Sequence, residues 1–114
     1  MQEAVALAIS AAVEAPVAAL IVYAARWPCR GALHAGLAAA VATAVTHPQL
    51  WEAAIWAYPR FGYWPSVVVL EALVVIAEAL LIAWMAKLAL HRALAVSLAA
   101  NIASCGVGLT IFHA

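Results

Sequence analysis

Long apolar runs fill most of this chain, and few charged residues interrupt them. The runs at residues 4–25, 65–86 and 89–112 each match the roughly 20 apolar residues that a helix needs to cross a bilayer. Hydrophobic residues make up 70% of the 114 residues, charged residues make up 9%, and the mean hydropathy is +1.10. This composition is far from that of a soluble domain. The sequence therefore predicts an integral membrane protein.

The second apolar run is the hardest to delimit, because the pair His47–Pro48 interrupts it. A residue that precedes proline is disfavoured in helical geometry. Two interpretations compete: a long helix kinked at Pro48, or a short span at 31–46 followed by an interfacial segment at 48–64. We favour the second. The predicted fold is all-α, a single domain over residues 1–114 that forms an antiparallel bundle of four transmembrane helices.

Aromatic residues crowd the predicted interfacial segment. Tryptophan and tyrosine concentrate where a membrane protein meets the headgroup region, so anchoring explains this cluster. The alternative is a mouth that recognises an aromatic or cationic ligand through stacking and cation–π contacts. The residues concerned are Trp51, Trp56, Tyr58, Phe61, Tyr63 and Trp64.

The distribution of basic residues predicts the orientation. Lysine and arginine near the ends of spans remain on the cytoplasmic side. The first and third connections carry two each, against Arg60 alone in the second. We therefore expect a multi-pass protein of a bacterial inner membrane with both termini outside. The four cytoplasmic residues are Arg26, Arg30, Lys87 and Arg92.

Three carboxyl groups lie inside the apolar runs at 4–25 and 65–86, and neither of these two runs contains a lysine or arginine to neutralise them. An ionisable group in hydrocarbon costs at least about 2.5–3.5 kcal/mol, so such groups usually have a function. The rise of a helix places Glu14, Glu78 and Asn101 at a similar depth near the midplane, with Glu71 about 10 Å further out on the face of Glu78. A protonated, hydrogen-bonded carboxyl group remains a structural alternative, more so for Glu71, which lies nearer water.

Small and polar residues recur at helical intervals on the other helices, and such stripes let membrane helices approach and bond to one another. We expect these faces to point to the bundle centre. Helix packing alone accounts for most of their hydroxyl groups. The stripes are Gly36, Ala40, Thr43 and His47 in helix 2 and Ser97, Asn101, Ser104 and Gly108 in helix 4.

The acidic residues predict a membrane protein that moves protons or small cations. Burial disfavours a charged carboxylate, so a buried carboxyl group can exchange its proton for a cation. Glu14, Glu78, Glu71 and Asn101 are the candidate transport residues. The alternative function is a non-catalytic accessory subunit of a larger membrane complex, which contacts lipid, haem or pigment.

Histidines offer further, less specific candidates. His47, Glu71 and His113 are all expected on the outer side, and imidazole with carboxylate suits divalent metals. His34 has small neighbours that leave room for a haem or pigment. Neither pattern has the spacing of a known ligand motif, so the cofactor is left open.

Length, four predicted spans and the sequence Ala12-Val13-Glu14-Ala15 are similar to small multidrug resistance transporters. The resemblance covers only these features. It implies a dimer that exchanges protons for aromatic cations at Glu14. The chain differs from that family by its two glutamates in helix 3 and the polar face of helix 4.

Other classes of function lack support in the sequence. It contains no nucleophile elbow, no HExxH and no P-loop, so we predict that it is not an enzyme. Its formal net charge of zero gives no basic surface for nucleic acid. The predicted partners are the lipid bilayer and other chains, either in a homo-oligomer or in a larger membrane complex.

Overall fold

The computed structural model is entirely helical. It describes the backbone of residues 2–113 and the side chains of residues 4–107 and of Thr110. Short connections of one to six residues join the helices. The helices are α1 (Gln2–Ala25), α2 (Ala32–Phe61), α3 (Tyr63–Ala86) and α4 (Leu90–His113).

The helices form an up-and-down bundle in which each helix packs against two neighbours. The neighbouring pairs are α1 with α2, α2 with α3, α3 with α4, and α4 with α1. Helices α1 and α3 therefore face each other across the bundle, as do α2 and α4. The longest dimension of the bundle is 43 Å, close to the thickness of a bilayer with its headgroups.

Helices α1 and α3 end in the same way at one end of the bundle. Arg26 and Lys87 each take the left-handed conformation, with φ of 56°. The following N–H groups, of Trp27 and Leu88, donate to the backbone oxygens of Val22 and Ala83. This arrangement satisfies carbonyl groups that a helix end otherwise leaves free. The N–H of Arg30 then donates to the oxygen of Ala86 at 2.8 Å, which ties the two connections together.

The predicted break of helix 2 at His47–Pro48 does not occur in the structure. It continues without interruption through Pro48 and Pro59 to Phe61, so the long-helix alternative describes its backbone. A proline removes one helical hydrogen bond, but neighbouring helices can hold the helix together across it. Here α2 packs along both α1 and α3. Gly62 alone, with φ of 88°, separates α2 from α3.

Three helical segments within the described residues are long and apolar enough to cross a membrane: Ala4–Ala25, Tyr63–Ala86 and Leu90–Val107. Helix α2 does not meet the same criterion. Large apolar side chains cover the outside of the bundle, with Leu20, Val68 and Ile102 about two-thirds exposed. A soluble monomer rarely exposes so much apolar surface. These features fit a multi-pass membrane protein.

The interior divides into two halves along the bundle axis. The closed half lies toward Arg26 and Lys87 and is packed with small and apolar side chains. The cavity half lies toward Gly62 and contains most of the buried polar groups. The core of the closed half consists of Ala18, Val22, Ala35, Ala38, Ala39, Ala42, Ala79, Ile82, Ala86, Leu88, Ala93 and Val96.

Candidate functional site

Glu14 and Glu78 meet at the boundary between the two halves. Their residues are only 3% and 2% exposed. They come from α1 and α3, which face each other across the bundle, and their carboxyl groups are close enough to form a hydrogen bond with each other. Two ionised carboxylates in contact repel each other strongly in an apolar interior. Two acidic side chains thus share one buried position without a basic residue in the described cavity wall.

Two threonines of α2 bind this carboxyl pair. The Oγ1 atom of Thr43 lies 2.9 Å from Oε2 of Glu14, and the Oγ1 atom of Thr46 lies 2.9 Å from Oε2 of Glu78. Residues three apart share a helix face, so one face of α2 serves both carboxyl groups. Thr43 belongs to the stripe that the sequence predicted for helix 2.

Asn101 of α4 completes the cluster. Its Nδ2 atom donates to Oε1 of Glu78 at 2.6 Å and to the backbone oxygen of Ser97 at 2.8 Å. The hydroxyl of Ser97 in turn donates to the backbone oxygen of Val75 at 2.9 Å. All four helices thus contribute to one hydrogen-bonded cluster around Glu14 and Glu78.

A polar cavity extends from the carboxyl pair into the cavity half. Its volume is about 230 Å³, and carboxyl, hydroxyl, amide and aromatic groups line it. Tyr58 and Tyr63, next to Gly62, line its far end. Among the described residues in its wall there is no lysine or arginine, so no fixed positive charge offsets its glutamates. The other polar or aromatic residues of the wall are Ser10, Glu14, Thr43, Thr46, His47, Trp51, Glu71, Glu78, Asn101, Ser104 and Cys105.

Glu71 lines the same cavity but lies apart from the carboxyl pair. It is half-buried, two helical turns from Glu78 on α3 and nearer to Tyr63. The structure thus places all four predicted transport residues in one cavity wall, with Glu14, Glu78 and Asn101 in contact at its inner end. Glu71 occupies the approach.

The predicted metal and haem candidates do not form a ligand set among the described side chains. His47 is buried and stacks on Trp51, with ring centroids 6.0 Å apart. His47 and Glu71 line the cavity, but no group of three or more His, Cys, Asp or Glu suited to a metal occurs among the described residues. The side chain of His113 lies outside the described part. His34 is exposed on the outer surface of the bundle.

The aromatic cluster next to Gly62 divides between the cavity and the outer surface. Tyr58 and Tyr63 pack together with ring centroids 5.2 Å apart and face the cavity. Trp56 lies outside, where the guanidinium of Arg60 sits 4.7 Å from its ring centroid. Both sequence interpretations of this cluster, membrane anchoring and ligand contact, thus have residues in suitable places.

The sequence analysis did not single out Thr46 as a site residue. The predicted helix 2 ended at Thr46, so the sequence did not indicate which helix face this residue occupies. Thr46 follows Thr43 by three residues, and this spacing puts both on one face once α2 is known to continue through Pro48.

Comparisons with protein-family models, with curated proteins and with solved structures find no match for this chain. The resemblance to small multidrug resistance transporters therefore rests on the chain length, the four predicted spans and the residues around Glu14 alone.

Proposed function

We propose that this protein moves protons or small cations across a membrane through the Glu14–Glu78 site. The observation that supports the proposal best is the position of the pair, buried at the inner end of a polar cavity inside an otherwise apolar bundle. Ionisable groups in such surroundings are costly, and transport pathways are where membrane proteins commonly retain them.

Among the described residues, the polar wall of the cavity extends from the site toward Gly62 and not toward the closed half. Polar groups continue from Glu78 past Glu71 to Tyr63, whereas Ala18, Ala39 and Ile82 close the other direction. A transporter must expose its site to the two sides in turn. In this proposal the structure corresponds to a state open toward Gly62, and transport requires the closed half to separate.

The proposed arrangement in the membrane has four spans, with α2 as the fourth, in a bacterial inner membrane. The cytoplasmic end is the one with four basic residues, and both termini lie outside. Assembly into a homo-oligomer or a larger membrane complex remains part of the proposal, although the described contacts of the carboxyl pair all lie within one chain.

Two free cysteines in opposite halves of the bundle can test this arrangement. Cys29 lies in the connection between α1 and α2, and Cys105 lines the cavity. We expect a membrane-impermeant maleimide to label a Cys105→Ser variant only from the cytoplasmic side. A Cys29→Ser variant should react only from the outer side. Labelling of both variants from the same side would contradict the four-span arrangement.

Transport itself is best tested in liposomes that contain the purified protein and a trapped pH indicator. We expect an imposed pH gradient, or a gradient of a candidate cation, to collapse faster with the wild type than with Glu14→Gln or Glu78→Gln. Glutamine keeps the size of the side chain but cannot ionise. Glu52→Gln is the matched control, because Glu52 is exposed on α2 and does not line the cavity.

The proposal fails if wild-type protein, folded and inserted, dissipates neither type of gradient faster than empty liposomes. Equal rates for wild type, Glu14→Gln and Glu78→Gln would also contradict it, because the flux would then bypass the site.

The second candidate function is an accessory subunit of a larger membrane complex. The supporting observation is the apolar outer surface of α2, where Leu33, Leu37 and Val41 are exposed beside His34. Mild solubilisation of native membranes and affinity purification should then recover a larger chain at fixed stoichiometry. A Leu37→Asn variant should lose that chain, whereas Glu78→Gln should retain it.

A further inference from the structure

Each of the two threonine hydroxyls has two acceptors within reach. The Oγ1 atom of Thr43 lies 3.0 Å from the backbone oxygen of Ala39, besides its contact with Glu14. The Oγ1 atom of Thr46 lies 2.9 Å from the backbone oxygen of Ala42, besides its contact with Glu78. A hydroxyl has one hydrogen to donate and lone pairs to accept. Only one of the two contacts of each threonine can therefore use the hydroxyl hydrogen.

The protonation state of Glu14 or Glu78 determines which acceptor receives the hydroxyl hydrogen of the threonine bound to it. When the carboxylate is ionised, the threonine hydroxyl donates to Oε2. When Oε2 carries a proton that is not shared with the other glutamate, the carboxyl group donates to Oγ1, and the threonine hydroxyl donates to the backbone oxygen four residues earlier. The proton arrives on hydronium from the aqueous side: the O–H bond of the hydronium breaks, an O–H bond forms at Oε2, and a water molecule is released. Both states keep the carboxyl group hydrogen-bonded, so neither pays for an unsatisfied buried polar group.

Asn101 keeps the other oxygen of Glu78 in a fixed role. Its Nδ2 atom lies 2.8 Å from the backbone oxygen of Ser97, which can only accept, so the amide N–H₂ group must be on that side. The same nitrogen donates to Oε1 of Glu78. Oε1 therefore accepts in both states, which leaves Oε2, facing Thr46, as the oxygen that gains and loses the proton.

Other titratable groups face this pair from each helix. They are His47 and Tyr58 of α2, Tyr63 and Glu71 of α3, and Cys105 of α4, all in the cavity wall. Glu14 is the titratable group that α1 contributes to that wall. Of these, Glu71 supplies the further negative charge, at a distance of two helical turns from Glu78. Direct hydrogen bonds to the pair come from Thr43, Thr46 and Asn101.

We propose that Thr43 and Thr46 are positioning residues that make this site select the proton over metal cations. A metal cation needs several oxygen lone pairs pointing at one centre. Here an N–H donor faces Oε1 of Glu78, and the two threonines sit on Oε2 of each glutamate, where a single hydrogen completes the bonding. This inference rests on the proposed function, because it names the species that the Glu14–Glu78 site handles.

Infrared difference spectroscopy of the carboxyl C=O stretch tests the inference without a transport assay. We expect a protonated carboxyl band in the wild type at neutral pH that Glu14→Gln or Glu78→Gln alters. The band should shift to higher frequency in Thr43→Val and Thr46→Val, because the carboxyl group loses its threonine partner. Thr43→Ser and Thr46→Ser keep the hydroxyl, so the band should stay at its wild-type frequency.

Proton flux gives a second measurement. It should fall roughly ten- to a hundredfold in the valine variants, the effect of losing a hydrogen bond to a charged group, and should stay near the wild-type value in the serine variants.

A second test titrates the wild type with sodium or potassium chloride at constant pH. It needs no variant, so it remains valid even if the valine variants do not fold. We expect the carboxyl band to persist. Its disappearance with rising cation concentration, or its absence at neutral pH before any cation is added, would overturn proton selectivity. If the band persists but the protein dissipates no gradient, the transport proposal fails while the inference about proton binding stands. Failure of the inference and failure of the proposed function therefore give different results.

Discussion

The two halves of the bundle are built from the same four helices but have opposite interiors. In the closed half, alanines from α2 and α3 contact apolar residues of α1 and α4, and the described core is apolar. In the cavity half, carboxyl, hydroxyl, imidazole and phenol groups surround about 230 Å³ of space. The change occurs within one helical turn of Glu78, where Ala79 and Ile82 belong to the closed side and Val74 to the cavity wall.

This difference shows how a small membrane protein can hold a polar site without a large scaffold. Small side chains let the helices approach closely in the closed half and fix their relative positions. The same helices then carry larger polar groups across the remaining space. The closed half is therefore built for close helix packing, and the cavity half holds most of the buried polar groups.

Charge follows the same division. The basic residues Arg26, Arg30 and Lys87 lie in the two connections at the closed end and Arg92 lies in the first turn of α4, whereas Arg60 lies next to Gly62. The described glutamates Glu14, Glu52, Glu71 and Glu78 lie at the boundary or beyond it toward Gly62. The excess of basic residues at the closed end favours a fixed orientation in a membrane.

A glutamine introduced on either side of Glu78 should have very different effects on the free energy of unfolding. Ile82 and Val74 lie four residues after and before Glu78, and they are 2% and 8% exposed. Ile82→Gln places an amide in the closed half with no polar partner, and we expect it to lower the free energy of unfolding by about 3 kcal/mol. In Val74→Gln the amide reaches the polar cavity, so the loss should stay below about 1 kcal/mol.

Unfolding of detergent-solubilised protein by sodium dodecyl sulfate, followed by circular dichroism, measures both values. Similar losses for Ile82→Gln and Val74→Gln would mean that the closed half is hydrated as well. The distinction between the halves would then fail.

Helical periodicity and depth in the membrane were enough to predict from the sequence which polar residues would lie near one another. A spacing of seven residues predicted that Glu71 and Glu78 share a face, and the helical rise placed Glu14, Glu78 and Asn101 at one level. The structure puts all of them in one cavity wall. Depth along the axis does not determine how the helices are arranged around it, so the approach of Glu14 to Glu78 from opposite sides of the bundle could not be derived from the sequence.

The backbone of α2 shows where local rules were insufficient. Proline disfavours helical geometry in the residue before it, and this local effect predicted a helix end at His47. Packing of α2 against α1 and α3 acts over the whole helix and outweighs one missing hydrogen bond. The erroneous break also hid Thr46, because a residue at a helix end has no defined face.

Two glycine-to-alanine substitutions give the smallest and most finely matched comparison. A Cβ atom at Gly36 would lie 3.0 Å from the backbone oxygen of Ala15 and 3.3 Å from Cβ of Ala19, so α1 and α2 must separate slightly to accept it. A Cβ atom at Gly106, in α4, has nothing within 4 Å. Alanine favours a helix over glycine by about 1 kcal/mol at either position.

We therefore expect Gly106→Ala to raise the free energy of unfolding by up to about 1 kcal/mol, and Gly36→Ala to lower it by about 1 kcal/mol, because overpacking outweighs the gain in helix propensity. The same detergent titration measures both changes. An increase for both variants would show that the α1–α2 contact yields easily to an added methyl group. Close approach of small residues would then not be what holds the closed half together, and apolar packing alone would have to account for the absence of polar groups from its described core.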